Sequence, residues 1–452
     1  MQVTIVGCGY VGLTTSVALS YIGHRVHCIE HNIERIEVLR SGGMPIHETG
    51  ISEIMAEVSE RLSFGGWDSF NEQTDVVIIA VGTPRKSNGD ADLTYVEAVA
   101  RELGQRLSGS KLPVIVNKST VPIGSARRVE SIVGQYLSSR GIKKKVMVAS
   151  NPEFLREGVA LYDSFYPDRI VVGANDTIAI NILREMYAPI LEQTFTSPEI
   201  IPRPDGFSLP AFITTTPTSA ELIKYAANTF LAMKISYINE IAGLAERVGA
   251  DIKEVARGIG LDKRIGPHYL NAGIGWGGSC FGKDVQALIH TASQYNYEIP
   301  LSNAAVIVNL RQREEIIKKL QATLKVLRGS TIALLGLSFK PGTDDLRDAP
   351  SITIAKRLLE LGAHVKVYDP IAMENCKIQH EDLELEYAND VKSLALGADA
   401  LVLITEWKEF LKLPFREMGQ LMRQKLIIDG RNILNPQELQ NLGYTYISIG
   451  RV

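Results

Sequence analysis

Short apolar runs recur along the chain, each closing on a glycine or a polar cluster, with apolar residues at helical spacing between them. Continuous runs of β-branched residues suit strands covered on both faces, and three- and four-residue spacing suits the helices that cover them. Val3-Thr4-Ile5-Val6 opens the series, Leu13 to Tyr21 reads as a helix, and Arg25-Val26-His27-Cys28-Ile29 reads as the next strand, ending at Glu30. Asp75 to Val81, Val114-Ile115-Val116 and Val146-Met147-Val148 continue it. After Gly329 the pattern starts afresh: Thr331 to Gly336, His364 to Asp369, Ala400 to Ile404 and Lys425 to Gly430 repeat the earlier order. This alternation predicts an α/β protein with two doubly wound, Rossmann-like domains.

A long helical stretch separates the two series. Thr218-Ser219-Ala220-Glu221 has the capping-box pattern, and an apolar stripe follows through Ala220, Ile223, Ala227, Leu231, Ile238, Ala242 and Ala245. A helix from there to about Val248 would span roughly 45 Å. One of that length is expected to join domains and to pack against a second subunit. The expected division is therefore 1–203, a dinucleotide-binding domain; 204–328, a helical middle; and 329–452, the second wound domain.

The composition narrows the class. A chain of 452 residues, 45% hydrophobic, has room for two or three domains. With a net charge of -3, nothing points to nucleic acid or to an acidic membrane surface, and the basic run Lys143-Lys144-Lys145 reads as a solvated turn. Met1 leads directly into the first strand, so no signal peptide is expected, and no apolar run is long enough to span a membrane. Cys8, Cys28, Cys280 and Cys376 are far apart and lack metal-ligand spacing. They read as reduced thiols of a cytoplasmic protein, and no metal site is expected.

Two motifs carry chemistry. The first is Gly7-Cys8-Gly9-Tyr10-Val11-Gly12, set between a strand and a helix and followed by a second strand ending in an acid, Glu30. This is the order of a dinucleotide site, in which the first glycine makes the turn, the second admits the pyrophosphate and the third lets the helix pack closely. Glu30 would accept from a ribose and repel a 2′-phosphate, favouring NAD over NADP, with Arg35 a nearby cation. Gly82-Thr83-Pro84, Thr120, Glu153 and Glu157 follow other strand ends, where ligands of open α/β sheets bind. The second wound domain lacks the full glycine fingerprint, so a different nucleotide-bearing ligand suits it better than a second NAD.

The second motif is Gly277-Gly278-Ser279-Cys280-Phe281-Gly282-Lys283-Asp284. Removing a hydride from an alcohol needs no cysteine. A thiolate becomes useful when an aldehyde is trapped, oxidised to a thioester and hydrolysed. The flanking glycines let the backbone approach a ligand, and Lys283 can favour the thiolate. Lys224 and Asn228, four apart, project from one helix face.

With these stretches the chain resembles the UDP-glucose/GDP-mannose dehydrogenase family. The resemblance is carried by the fingerprint, Val81-Gly82-Thr83-Pro84, Asn151-Pro152-Glu153-Phe154-Leu155-Arg156-Glu157-Gly158, Leu222 to Asn228, Arg264-Ile265-Gly266, the cysteine motif and Phe339 to Arg347. It implies two successive NAD-dependent oxidations at C6 of UDP-glucose, giving UDP-glucuronate. Cys280 would attack the C6 aldehyde, while Lys224 and Asn228 would stabilise developing oxyanions. Thr120, Glu153 and Asp284 would position water and move protons, with Glu153 the base for thioester hydrolysis. Thr83, Glu157, Lys283 and Arg347 would join Glu30 and Arg35 around NAD, together with Gly82, Pro84 and Thr120. The substrate would meet Glu153, Phe154, Leu155, Arg156, Glu157, Tyr269, Leu270, Asn271, Gly273, Gly277, Lys340 and Arg431. Arg264 would reach across from a neighbouring subunit, which implies a homodimer or a higher homo-oligomer.

Gly282 stands where the family often has proline, and Tyr269 where it often has phenylalanine. The same chemistry on GDP-mannose or a UDP-N-acetylhexosamine is the nearest alternative. A two-electron hydroxyacid dehydrogenase would need neither Cys280 nor a second wound domain. A catalytically silent NAD-binding regulator would be expected to lack Cys280, Lys224 or Asn228.

Overall fold

Eight strands of the first sheet are β1 Gln2–Val6, β2 Arg25–Ile29, β3 Leu62–Gly65, β4 Val76–Ile79, β5 Val114–Asn117, β6 Met147–Ser150, β7 Arg169–Ala174 and β8 Ala211–Thr215. They come from a computed structural model that describes residues 1–86 and 89–451. The order is β3-β2-β1-β4-β5-β6-β7-β8, parallel throughout except between β6 and β7. The chain reverses direction across the sheet between β1 and β4, where Val3 pairs with Val76 and Val6 with Ile79. A crevice opens outside the strand ends at such a switch point. All four residues of β4 are buried, which is why the run is continuously apolar. Val76 and Ile78 pack on the side of the helix Tyr10–Tyr21, whereas Val77 and Ile79 join Val99, Leu103, Val133 and Leu137 on the other, the two-residue alternation of a strand.

The second sheet repeats the plan. β9 Thr331–Leu335, β10 His364–Tyr368, β11 Leu385–Tyr387, β12 Ala400–Leu403, β13 Leu426–Asp429 and β14 Thr445–Ser448 lie in the order β11-β10-β9-β12-β13-β14, all parallel. The sequence order predicted this repeat. Asp369 stands at the end of β10 as Glu30 stands at the end of β2. Its buried carboxylate accepts from the amides of Leu337, Ser338, Ile371 and Ala372, the Ser338 hydroxyl and the Trp407 indole.

Strands β3, β7, β8, β11 and β14 were not foreseen. Four of them are the sheet's outermost or edge-flanking strands, short and carrying exposed polar positions, so no continuous apolar run marks them.

Two units divide the chain: Met1–Ala227 with Gln286–Tyr295, and Asn228–Val285 with Asn296–Val452. The boundary falls within the helix Pro217–Val248. The expected capping box is not formed. The Thr216 hydroxyl accepts from the Ser219 amide at 3.1 Å and takes the cap, which releases Glu221. Glu221 accepts instead from the Gly124 and Ala126 amides at 2.6 and 2.9 Å, at the start of the helix Ser125–Ser139, and from Ser150 at 3.0 Å. Among the described residues no helix is long and apolar enough to cross a membrane.

Candidate active site

In the first unit the glycine loop has the shape a pyrophosphate requires. Gly7 has φ +101°, and a Cβ there would lie 2.7 Å from the Ala80 carbonyl; at Gly12 it would lie 1.8 Å from the Gly7 carbonyl. A Cβ on Gly9 or Gly82 would meet nothing within 4 Å. The loop is thus tight against the protein and open on its outer side, where the amides at the start of the helix Tyr10–Tyr21 suit an anion. Val11, half-buried, packs against the core of this unit.

Glu30 follows directly on β2. Burial would push its carboxyl up, but the amides of Cys8, Asn32 and His31 outweigh this and hold it below the usual carboxylate range. It is therefore an ionised acceptor, with the Arg35 guanidinium 3.8 Å away. Thr83 donates to the Thr120 carbonyl at 2.8 Å, tying the Gly82-Thr83-Pro84 turn to the segment after β5. These features fit an NAD molecule.

The segment after β6 carries Glu153, which meets Lys224 of the long helix at 2.8 Å with both side chains buried. Burial would raise the Glu153 carboxyl, but the Lys224 ammonium, the Leu155 amide at 2.6 Å and the more remote Lys118 ammonium bring it below its ordinary value. Phe154 packs under two cations, Arg169 at 3.9 Å and Lys224 at 5.5 Å. Arg156 makes a two-pronged pair with Asp163, and Glu157 is half-buried beside it. Glu48 organises the next turn by accepting from the Gly158 and Ala160 amides at 2.7 Å each and from the Tyr10 hydroxyl.

In the second unit Asn228 donates to Asp284 at 2.6 Å, and Lys283 donates to the other carboxylate oxygen at 2.7 Å. Lys283, read from sequence as the cation beside the thiol, thus has its ion pair with Asp284. Cys280 instead immediately precedes the helix Phe281–Gln294, and its carbonyl accepts from the Asp284 amide at 2.8 Å. A helix N-terminus favours negative charge on a thiol placed there. Cys8, Cys28 and Cys376 are buried; Cys280 alone is half-exposed, its sulfur 3.5 Å from the Ser279 hydroxyl. Burial pushes the Cys376 thiol up.

The remaining predicted residues of this unit lie partly beside the cysteine stretch and partly away from it. Tyr269 has φ +64°, and its ring lies 6.3 Å from that of Phe281. Leu270 is buried and Asn271 exposed. The Gly273 amide donates to Asn239, and a Cβ there would come within 2.6 Å of the Gly430 carbonyl. Arg431 donates to the carbonyls of Ile404, Gly275 and Phe339. Lys340 lies over the Phe339 ring, and Arg347 pairs with Asp345. Arg264 is exposed and pairs with Asp262. Sequence reasoning missed Lys118, Glu48 and Arg313 and assigned Glu221 to the wrong partners. Each is a charged side chain whose burial depends on partners distant in the chain, so no local pattern signals it.

Three family models match in succession: the UDP-glucose/GDP-mannose dehydrogenase family NAD binding domain over residues 1–191, its central domain over 218–311 and its UDP binding domain over 333–436. A UDP-glucose 6-dehydrogenase of Rhizobium meliloti (strain 1021) is 44% identical over 459 residues, covering all of both chains. UDP-glucose 6-dehydrogenase TuaD of Bacillus subtilis (strain 168) is 43% identical over 454 residues, covering all of this chain and 93% of that one. Among solved structures, a UDP-glucose dehydrogenase from the hyperthermophilic archaeon Pyrobaculum islandicum superposes with a TM-score of 0.88 at 37% identity, covering 100% of this chain and 98% of that one.

Proposed function

The chain belongs to the UDP-glucose/GDP-mannose dehydrogenase family, and we infer that it is an NAD-dependent UDP-glucose 6-dehydrogenase, converting UDP-glucose to UDP-glucuronate. The observation that carries the reading is Cys280, a half-exposed thiol at a helix N-terminus, with Asn228 and Asp284 hydrogen-bonded to each other in the same unit.

NAD, when bound, would supply the hydride acceptor for both oxidations. In the first, Lys224 and Asn228, one helical turn apart, stabilise charge developing on the C6 oxygen as its hydroxyl proton passes to the water held by Thr120 and Asp284. The Cys280 thiolate then adds to the aldehyde carbon, forming the C–S bond of a thiohemiacetal, and loss of a second hydride from that carbon leaves a thioester. Glu153, ionised by its surroundings, takes a proton from water as the oxygen adds to the thioester carbon. The C–S bond breaks, returning the thiolate and releasing the acid. Thr120 and Asp284 hold the water and relay the proton. Glu30, Arg35, Thr83, Glu157, Lys283 and Arg347 are the residues that would hold the cofactor. Phe154 to Arg156, Tyr269 to Asn271, Gly273, Gly277, Lys340 and Arg431 hold the sugar nucleotide. Residues 1–203, 204–328 and 329–452 serve as cofactor, catalytic-helical and nucleotide-holding segments.

Two NADH per UDP-glucose is the expected stoichiometry, read by absorbance with limiting sugar; one NADH would overturn the four-electron reading. UDP-glucose should also exceed GDP-mannose and UDP-N-acetylglucosamine in kcat/KM.

An exposed apolar stripe supports a reading of the assembly. Phe230, Tyr237, Leu244 and Val248 lie at seven-, seven- and four-residue spacing on the long helix and are 61%, 54%, 56% and 66% exposed. Such an apolar stripe suits a second copy of the same helix, which supports a homodimer in which Arg264 reaches the neighbouring substrate. Phe230→Glu with Tyr237→Glu is expected to halve the mass measured by light scattering; an unchanged mass would move the interface elsewhere.

A further inference from the structure

Residues 271–280, leading to the thiol, form neither helix nor strand, so their backbone groups need partners from elsewhere. The helix Pro300–Leu324 supplies them. Asn309 accepts from the Trp276 amide at 2.7 Å and donates to the Trp276 carbonyl at 2.9 Å. Arg313, one turn further, donates to the same carbonyl at 3.0 Å. Its guanidinium also reaches the Asp348 carboxylate at 2.9 Å, the Asp348 carbonyl at 3.1 Å and the Thr353 hydroxyl at 2.9 Å. The Arg313 side chain is only 4% exposed, so this is a buried cation spent on joining two loops.

The second loop closes on the first from both sides of Cys280. The Gly278 amide donates to the Arg347 carbonyl at 3.0 Å. A Cβ on Gly277 would lie 2.4 Å from the Asp348 carbonyl, so only glycine allows that approach. Beyond the thiol, a Cβ on Gly282 would lie 2.9 Å from the Asp348 carboxylate, which occupies the space the glycine leaves. Asp348 itself holds φ +50°, a left-handed conformation that non-glycine residues keep where their surroundings demand it.

We propose that Arg313 and Asp348 are positioning residues, a clamp that fixes the Cys280 sulfur for the second oxidation and locks it to the turn carrying Arg347. The proposal rests on Cys280 being the nucleophile. The two oxidations make unequal demands on this clamp. The first removes hydride from the alcohol before any bond to sulfur exists. The second requires the sulfur held in bonding geometry to C6, and a displacement of about 1 Å can cost roughly a hundredfold in rate. Loosening the clamp therefore slows one half-reaction and spares the other, a split that general destabilisation does not produce.

The test is rapid mixing with saturating NAD, supplying UDP-glucose for the first half-reaction and its C6 aldehyde for the second. Asp348→Asn, Arg313→Met and Arg313→Lys are compared with the unaltered enzyme and with Cys280→Ala. Aldehyde oxidation is expected to slow about 10- to 100-fold in Asp348→Asn and Arg313→Met. Arg313→Lys, which keeps the charge and loses the planar fork, should fall between them and the parent. Oxidation of the alcohol should stay within about threefold of the parent rate in all three. Equal slowing of both half-reactions, or none in Asp348→Asn and Arg313→Lys, would overturn the clamp. Asp348 is 43% exposed, so its variant carries the test even where Arg313→Met does not fold. Cys280→Ala separates the two readings: aldehyde oxidation surviving there removes the nucleophile, and its loss there alone removes only the clamp.

Discussion

Cys280→Ala is expected to abolish formation of UDP-glucuronate, slowing it by at least about 10³-fold, while leaving NAD affinity unchanged. The size of the effect follows from what remains when the sulfur is gone. An aldehyde has no leaving group, so the second hydride can depart only after a nucleophile has added to its carbon. Cys8, Cys28 and Cys376 cannot substitute, because all three are buried. Water could add, but without the sulfur nothing covalent holds the adduct while hydride leaves. The glycine loop and Glu30, which belong to the other unit, keep their own amide and backbone partners in the variant. Removing a half-exposed thiol should cost on the order of 1 kcal/mol or less of stability, so the protein remains testable. Chromatography of the sugar nucleotides and calorimetric NAD titration check the two halves. Acid formation at the parent rate would remove Cys280 from the mechanism.

What the sequence made legible was whatever is enforced by neighbours in the chain. The fingerprint could be read because Gly7 and Gly12 meet backbone atoms within a few residues or in the adjoining strand, leaving no room for a side chain. The repeated sheet could be read because β4 and β12 are covered on both faces and hence continuously apolar. Glu221 shows where local reasoning fails. It stands at the right spacing for a capping box, yet Thr216 takes the cap and Glu221 serves amides almost a hundred positions away. Arg313 is harder still, since its pattern is that of an ordinary polar helix residue and its partners, Trp276, Asp348 and Thr353, lie 35 to 40 positions off. Glu153 and Lys224, 71 positions apart, came together on paper only through the family resemblance.

That last pair supports the second large effect. Lys224→Met is expected to destabilise the protein by about 3–5 kcal/mol at neutral pH, because it strands the Glu153 carboxylate in a buried site. The pH dependence should change sign. In the parent, the Glu153 carboxyl lies below its ordinary value, so its contribution is present at neutral pH and is lost as pH falls through that lowered value. In Lys224→Met burial dominates and raises the carboxyl, so stability is highest in acid and declines as pH rises past the ordinary carboxylate range. The Lys118 ammonium blunts this reversal without cancelling it, being more remote than the missing partner. Adding Glu153→Gln removes the stranded charge and should recover most of the lost stability. It should recover none of the activity, since a carboxamide cannot take a proton from water, a loss of about 10²- to 10⁴-fold. Urea unfolding at pH 5 and pH 8, run beside acid formation for both variants, would reveal the divergence. If the double variant regained activity along with stability, the pair would be a structural strut and the base would have to be sought elsewhere.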